Sequence, residues 1–187
     1  MNAADALRRR LAASLPVEAD EPGLYWAAVA IILVPQPDAL LLIRRAHREG
    51  DPWSGHIALP GGRAEPADTD LVETATRETS EEVGVSLLRE HLLGALSDVA
   101  PRTPTLPPIA VRPYVFRLPA RPALRLNPEV AAAEWIELAV LQDPAIRQDV
   151  TIQVSDAARR FPAFVTPHGV VWGMTERILS LLLEQLA

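Results

Sequence analysis

Gly61-Gly62-Arg63-Ala64-Glu65-Pro66-Ala67-Asp68, continuing to Arg77-Glu78-Thr79-Ser80-Glu81-Glu82-Val83-Gly84-Val85, is the stretch on which the reading of this chain turns. A glycine pair makes a tight turn, and a helical segment follows it. At about 3.6 residues per turn, Glu78, Glu81 and Glu82 stand at i, i+3 and i+4 and share one side of that helix. Like charges held so close cost roughly a few tenths of a kcal/mol per pair. A hard divalent cation reverses the sign, because carboxylate oxygens are the ligands Mg2+ prefers. A solvated acidic helix face has the same spacing, so the flanking residues have to decide. Arg77 lies one helical turn from both Glu73 and Glu81 and can pair with either.

Working outward, the helix is predicted over Thr69–Val83, with Asp68 or Thr69 capping its start and Gly84 at a left-handed stop. Val72, Ala75, Thr79 and Val83 give it a buried stripe opposite the glutamates. Upstream, Trp26–Val34 and Ala39–Arg45 are strand-like runs around Pro35-Gln36-Pro37-Asp38, a hairpin pattern. His47 to Gly55 is polar and turn-rich, and His56–Leu59 is a short strand leading into the glycine turn. Downstream, Leu92–Val99 and Ile109–Leu118 are predicted strands joined by the proline-rich Pro101–Pro108, a lid or a rigid connector. Ala132–Leu138 is another strand. Ala3–Ser14 is a short amphipathic helix with Leu7 and Leu11 inward; Trp172–Leu186 closes the chain as a helix with Ile178, Leu179, Leu182 and Leu186 inward. Strands interleaved with helices point to an α/β domain.

The 187 residues, 49% hydrophobic, suit a single domain with one core. The expected division is 1–22 as an N-terminal helical extension, 23–145 as the core, and 146–187 as a C-terminal extension with its closing helix. No cysteine is present, which excludes disulfides, thiolate metal sites and a cysteine nucleophile. The longest apolar run, Trp26–Val34, is far short of the roughly 20 residues that span a bilayer. No apolar run follows Arg8, Arg9 and Arg10, so nothing there reads as a signal peptide. A cytoplasmic location and no membrane partner are the expectation. All 18 basic residues are arginine, so any phosphate clamp is built from guanidinium groups, which suit bidentate contacts. A net charge of −6 without a basic stripe argues against a nucleic-acid duplex as partner.

The glycine turn and helix together resemble the Nudix box, G-x5-E-x7-R-E-U-x-E-E-x-G-U with U aliphatic. Gly62, Arg77, Glu78, Glu81, Glu82, Gly84 and Val85 fall where that pattern wants them. Asp68 replaces the first glutamate, eight residues rather than seven separate it from Arg77, and Thr79 takes an aliphatic position. The first two departures are similar to the coenzyme A diphosphatase branch of the family. The resemblance implies an α/β/α sandwich with the box helix on a mixed sheet, and hydrolysis of a diphosphate linkage with Mg2+ or Mn2+. Its metal ligands carry over as Glu78, Glu81, Glu82 and a carbonyl of the glycine turn, at Gly61 or, as taken here, Gly62. Glu78, Glu81 and Arg77 form the catalytic set, with Arg77 orienting a glutamate rather than making a mere surface ion pair. Glu81 is one candidate for the general base; Glu129, in Asn127-Pro128-Glu129-Val130, is another. His56 and His168 have no paired spacing that supports metal ligation.

The coenzyme A branch is also marked by an upstream motif. Leu41-Leu42-Ile43-Arg44-Arg45-Ala46 and Gly55-His56-Ile57-Ala58-Leu59-Pro60-Gly61-Gly62 are similar to its two ends. Its middle differs: the loop is one residue longer and the motif's arginine is absent from its place, with Arg48 as a stand-in. The leading expectation is hydrolysis of coenzyme A or acyl-CoA to 3′,5′-ADP and 4′-phosphopantetheine. The alternative is a hydrolase of ADP-ribose, NADH or another nucleoside diphosphate derivative. A third reading, a catalytically silent Nudix-fold binding module, is opposed by the intact box glutamates. Arg45, Arg48, Trp53, Arg63 and Arg102 are the candidate substrate contacts, with Arg48 reading the 3′-phosphate of coenzyme A and Arg102 touching phosphate from a segment that borders the pocket. Trp53 and Trp172 suit core filling, and Trp53 also suits stacking on an adenine. The expected partner is a small nucleotide diphosphate, with a homodimer as a candidate assembly.

Overall fold

The computed structural model describes residues 3–14, 16–19, 23–51, 53–101, 107–154 and 157–187. Its frame is β1 (Tyr25–Val34), a strand apolar on both faces. Ala28, Ala30, Ile32 and Val34 are buried on one side and Ala27, Ile31 and Leu33 on the other. A strand buried twice over belongs at the centre of a layered fold. It runs parallel to β6 (Ile109–Arg117) from Tyr25↔Ile109 to Leu33↔Arg117. Its remaining neighbours are antiparallel: β2 (Ala39–Arg45) closes the expected hairpin, and β4 (Gly61–Arg63) lies against Ala27–Val29. With β3 (Ile57–Ala58), β5 (Leu92–Ala95) and β7 (Val130–Glu137), the mixed sheet has seven strands, ordered β3-β2-β1-β6-β5 with β4 on β1 and β7 on β2.

Each face of the sheet carries its own core. The box helix, α2 (Leu71–Val83), buries Val72, Ala75 and Val83 on the side of Ile32 and Phe116. On the opposite side, Leu7 and Leu11 of α1 (Ala3–Ala13) join Leu141 of the short α3 (Leu138–Gln142) and Ile178, Leu179 and Leu182 of α4 (Gly173–Leu186). Helices on both faces of a mixed sheet make the expected α/β/α sandwich.

Local differences have local causes. The box helix begins at Leu71 and is capped by Asp70, whose Oδ1 accepts the N–H of Glu73 at 2.8 Å. Neither Asp68 nor Thr69 serves as the cap: Asp68 is drawn to Arg77, and Thr69 bonds the carboxylate of Glu73. Thr79 is fully buried at its aliphatic position because its hydroxyl donates to the Ala75 carbonyl at 2.7 Å. Gly84 ends the helix at φ 71°, as expected. The strand predicted over Leu92–Val99 is shorter, with a lone bridge from Val99 to Val111 beyond it.

Two elements go beyond the sequence expectation: β4, where only a turn is predicted, and a second sheet. β8 (Arg147–Val154), β9 (Ala157–Thr166) and β10 (Gly169–Trp172) form an antiparallel sheet of three strands between the core and α4. Alternation at Val150, Ile152 and Val154 is its trace in the sequence, half-buried against polar neighbours. Among the described residues, no helix is long and apolar enough to cross a membrane.

Candidate active site

Strand β4 and helix α2 meet edge to side, and the carboxylates lie between them. The bonds Ala30 N–H to Pro60 O and Ala64 N–H to Trp26 O fix the parity of the β1–β4 ladder. Bonded and non-bonded pairs alternate in an antiparallel ladder, so Gly62 is bonded to Ala28 while Gly61 turns its backbone groups away from β1. The Gly61 N–H is thereby free to donate to Glu82 Oε2, at 2.9 Å. By the same parity, the Gly61 carbonyl, not that of Gly62, faces away from the ladder.

Gly62 has a different task. A Cβ at this position would overlap the carboxylate of Glu78, so the bare α-carbon is what lets that side chain lie against the strand. Glu78 and Glu82 are both partly or wholly withdrawn from water, with Glu82 only 4% exposed. Burial pushes the Glu82 carboxyl up to about 7, only partly offset by the Gly61 N–H. Burial also raises Glu78, against the pull of Arg77. Glu81 points outward, its side chain 56% exposed.

Arg77 gathers the cluster. Its Nε and Nη2 reach the two oxygens of Asp68 at 2.9 and 3.0 Å, and its Nη1 donates to Glu78 Oε1 at 2.9 Å. Nη2 also donates to the Arg63 carbonyl at 3.1 Å, and Glu81 stands off at 3.5 Å. The pairing with Glu73 considered from helical spacing does not occur, since Thr69 occupies Glu73. Asp68 is the partner that helical spacing could not show, because it precedes the helix. The Arg77 guanidinium holds the Asp68 carboxyl well below the usual carboxylate range. The substitution at the first acidic position of the box thus keeps a carboxylate bonded two-pronged to Arg77.

The loop after β2 faces this cluster. Arg45 Nη2 pairs with Asp51 at 2.7 Å, and its buried Nε has no hydrogen-bond acceptor among the described residues. Arg45 and Glu129 both lie within electrostatic reach of Glu82. Arg48 is at the rim, exposed, with Nη1 3.3 Å from Glu129 Oε1. Glu129 is placed by its own loop: the Asn127 and Arg125 N–H groups donate to the carbonyls of Glu82 and Val83 at the end of α2. Asp51, which organises the loop by accepting the Trp53 N–H at 3.0 Å, had no signal in the sequence.

The remaining candidates are dispersed. Trp53 is half-buried and packs against the core on the α1 and α4 face. Arg63 is exposed and lies over the Tyr25 ring, 4.5 Å from its centroid. His56 packs at a tilt against Trp172, their centroids 4.8 Å apart, and burial lowers its pKa. His168 is 3.9 Å from Glu134, away from the box. Arg102 and most of the Pro101–Pro108 segment lie outside the described residues.

Does this arrangement fit a divalent cation? Among the described residues, no three acidic or histidine side chains are already drawn into a cage. The donor set nevertheless fits one: the buried Glu82 carboxylate, bonded by the Gly61 N–H, and the half-buried Glu78 carboxylate, which shares Arg77 with Asp68, beside an outward-turned carbonyl at Gly61. All are hard oxygen donors of the kind Mg2+ and Mn2+ take.

Comparison with known proteins gives a consistent result. The NUDIX domain family model matches residues 24–154. The chain is 40% identical over 132 residues to uncharacterized protein C14C4.10c of Schizosaccharomyces pombe, a match spanning 67% of this chain and 40% of that protein's length. It is 32% identical over 185 residues to the mitochondrial coenzyme A diphosphatase NUDT8 of Homo sapiens, covering 96% of this chain and 76% of the relative. Among solved structures, a MutT/nudix family protein from Enterococcus faecalis aligns with a TM-score of 0.60 at 16% identity, over 100% of this chain and 70% of that one. That last likeness speaks for the fold alone. With the family model spanning most of the chain and the box geometry in place, this protein belongs to the Nudix family, as a hydrolase of diphosphate linkages.

Proposed function

We propose that the chain hydrolyses the diphosphate bond of coenzyme A or an acyl-CoA, releasing 3′,5′-ADP and 4′-phosphopantetheine, with Mg2+ or Mn2+ as cofactor. The reading takes residues 1–187 as one Nudix hydrolase domain acting in the cytoplasm on a small nucleotide substrate. The observation that carries it is the pair formed by half-buried Glu78 and buried Glu82 against the glycine strand, with no ion pair to Glu82 among the described residues. Support for the coenzyme comes from the human relative's name and from the residues flanking the loop between β2 and β3.

In this reading Glu78, Glu82 and the Gly61 carbonyl hold the metal, with Glu81 at the exposed margin. A cation bound there would supply a more acidic water and neutralise charge on the diphosphate oxygens. Arg77 keeps the Glu78 carboxylate oriented, and Asp68 keeps Arg77 from swinging away. Arg45 offers to a phosphate oxygen its Nε–H, which has no acceptor among the described residues; satisfying a buried donor is worth about 1–3 kcal/mol. Glu81 and Glu129 both stand in solvent near the cluster, and either can accept the proton of the attacking water. Arg48 and Arg63 are exposed cations at the two margins, suited to the outer phosphate groups.

The test is a hydrolysis panel with added Mg2+ or Mn2+: coenzyme A, acyl-CoAs, dephospho-coenzyme A, ADP-ribose, NADH and nucleoside triphosphates, with products identified by mass. Coenzyme A or an acyl-CoA should lead, giving 3′,5′-ADP. Brisk turnover of ADP-ribose beside negligible turnover of coenzyme A would replace the substrate while keeping the chemistry.

A further inference from the structure

Two adjacent arginines end β2, and they leave the strand on opposite sides. The register shifts between Arg44 and Arg45 where β2 pairs with β7. Arg45 turns toward the carboxylates, as described. Arg44 turns toward the second sheet, and nothing in the proposed chemistry uses it.

The Arg44 guanidinium spans two backbone carbonyls. Nη1 donates to Gly55 O at 3.3 Å and Nη2 to His168 O at 2.5 Å. Gly55 closes the loop that Arg45 and Asp51 organise from its other side. His168 sits in the turn between β9 and β10. One side chain therefore ties the far end of the substrate-facing loop to the C-terminal sheet, across 124 residues of sequence.

The residue after that turn, which opens β10, supports a built contact. Gly169 has φ +127°, and a Cβ there would lie 3.0 Å from Arg44 Nη2 and 3.1 Å from Ile57 Cδ1. Any side chain at 169 would press on the guanidinium or on β3. The neighbouring ring pair reinforces the join, since His56 follows Gly55 and stands against Trp172 of β10. Charged hydrogen bonds to carbonyls hold a loop more firmly than neutral ones.

We propose that Arg44 is a positioning residue for substrate binding: without touching substrate, it fixes the loop 46–56 by bonding Gly55 to the turn that carries His168, and so makes the C-terminal sheet a working part of the site. The inference rests on the proposed function only in taking that loop as substrate-facing.

The test compares Arg44→Ala, Arg44→Lys and Gly169→Ala with the unmutated protein, on whichever substrate of the panel it hydrolyses best. Arg44→Ala should raise KM about tenfold with kcat within about twofold, because the metal cluster is untouched. Arg44→Lys, able to reach one carbonyl, should recover part of the loss. Gly169→Ala should reproduce the KM effect, and the Arg44→Ala/Gly169→Ala double variant should be no worse than Arg44→Ala alone. Hydrogen exchange should quicken at residues 46–56 and 166–170 and stay unchanged in α2. An unchanged KM, a loss confined to kcat or Tm, or additive single effects would overturn the proposal. If no panel substrate is turned over, the substrate reading fails by itself. The exchange pattern then decides on Arg44, with unchanged exchange at 46–56 overturning it.

Discussion

The box helix and the loop before the glycine turn hold charge in opposite ways. In the helix, acid is in surplus: Glu82 is buried with a backbone N–H as its bonded partner, and Glu78 shares Arg77 with Asp68. In the loop, the surplus is donor capacity: Arg45 keeps a buried Nε–H without an acceptor among the described residues. Arg48 waits at the rim on an exposed glutamate. Each side lacks what the other's ligand brings. In the proposed function a cation would settle the carboxylates, and a phosphate attached to that cation would settle the arginines. The comparison teaches that surplus acid and surplus donor capacity stand on separate elements, an arrangement that the proposed function assigns to one ligand pair, a metal ion and a diphosphate.

The largest expected effect breaks the acidic half. Glu82→Gln should lower kcat/KM by roughly a hundred- to a thousandfold with saturating Mg2+, through loss of a ligand. Its Tm should hold or rise, because a buried, raised carboxyl is removed. A variant within about threefold of the unmutated activity would separate Glu82 from the chemistry.

Next in size is a pH effect on the metal-free protein. The Glu82 carboxyl is raised on folding, so the stability it permits is present below its unfolded value of 4.5 and is lost as pH climbs to about 7. Glu78 is shifted in the same direction. The loss from Glu82 is on the order of 3 kcal/mol. His56, lowered by burial, works in the opposite direction, gaining stability as pH rises toward its unfolded value of 6.5. Subtracting the Glu82→Gln profile removes the His56 contribution. Denaturant melts in EDTA should show the difference growing between pH 4.5 and 7 and shrinking when Mn2+ replaces EDTA. Parallel profiles would mean that Glu82 ionises freely in the fold.

A third expectation sharpens the packing claim. Gly62→Ala should cost about tenfold in kcat/KM, since the new methyl group displaces the Glu78 carboxylate from the strand. Full activity would show that Glu78 works from elsewhere. The smallest effect belongs to the loop. Arg48→Ala should cost coenzyme A only about three- to tenfold, because so exposed a cation is screened by solvent. Dephospho-coenzyme A should suffer less; equal losses on both substrates would deny Arg48 any part in reading the 3′-phosphate.

How much of this was legible in the sequence differs by region, for physical reasons. The box was readable because fixed residue types at fixed spacing state both the helix and its chemistry. The buried stripe Val72, Ala75, Thr79 and Val83 follows from helical periodicity alone. Asp68 as the anchor of Arg77 was hidden because the two meet across a loop, where sequence distance says little about space. Parity at Gly61 and Gly62 needed the ladder bonds of β4, a strand too short to signal itself. Arg44's role was invisible because its acceptors are carbonyls at residues 55 and 168, and backbone groups carry no sequence identity. The β8–β9 hairpin had its alternation in view, but the prolines and arginines around it blurred the pattern.

The central claim is that Glu78, Glu82 and the Gly61 carbonyl form a divalent-cation site. Calorimetric titration of Mn2+ into the unmutated protein and into Glu82→Gln, near pH 7.5 and without substrate, tests it most directly. The account predicts saturable binding that weakens at least about tenfold in the variant, one lost ligand being worth about 1.4 kcal/mol or more. Equal affinity in the two proteins would contradict it.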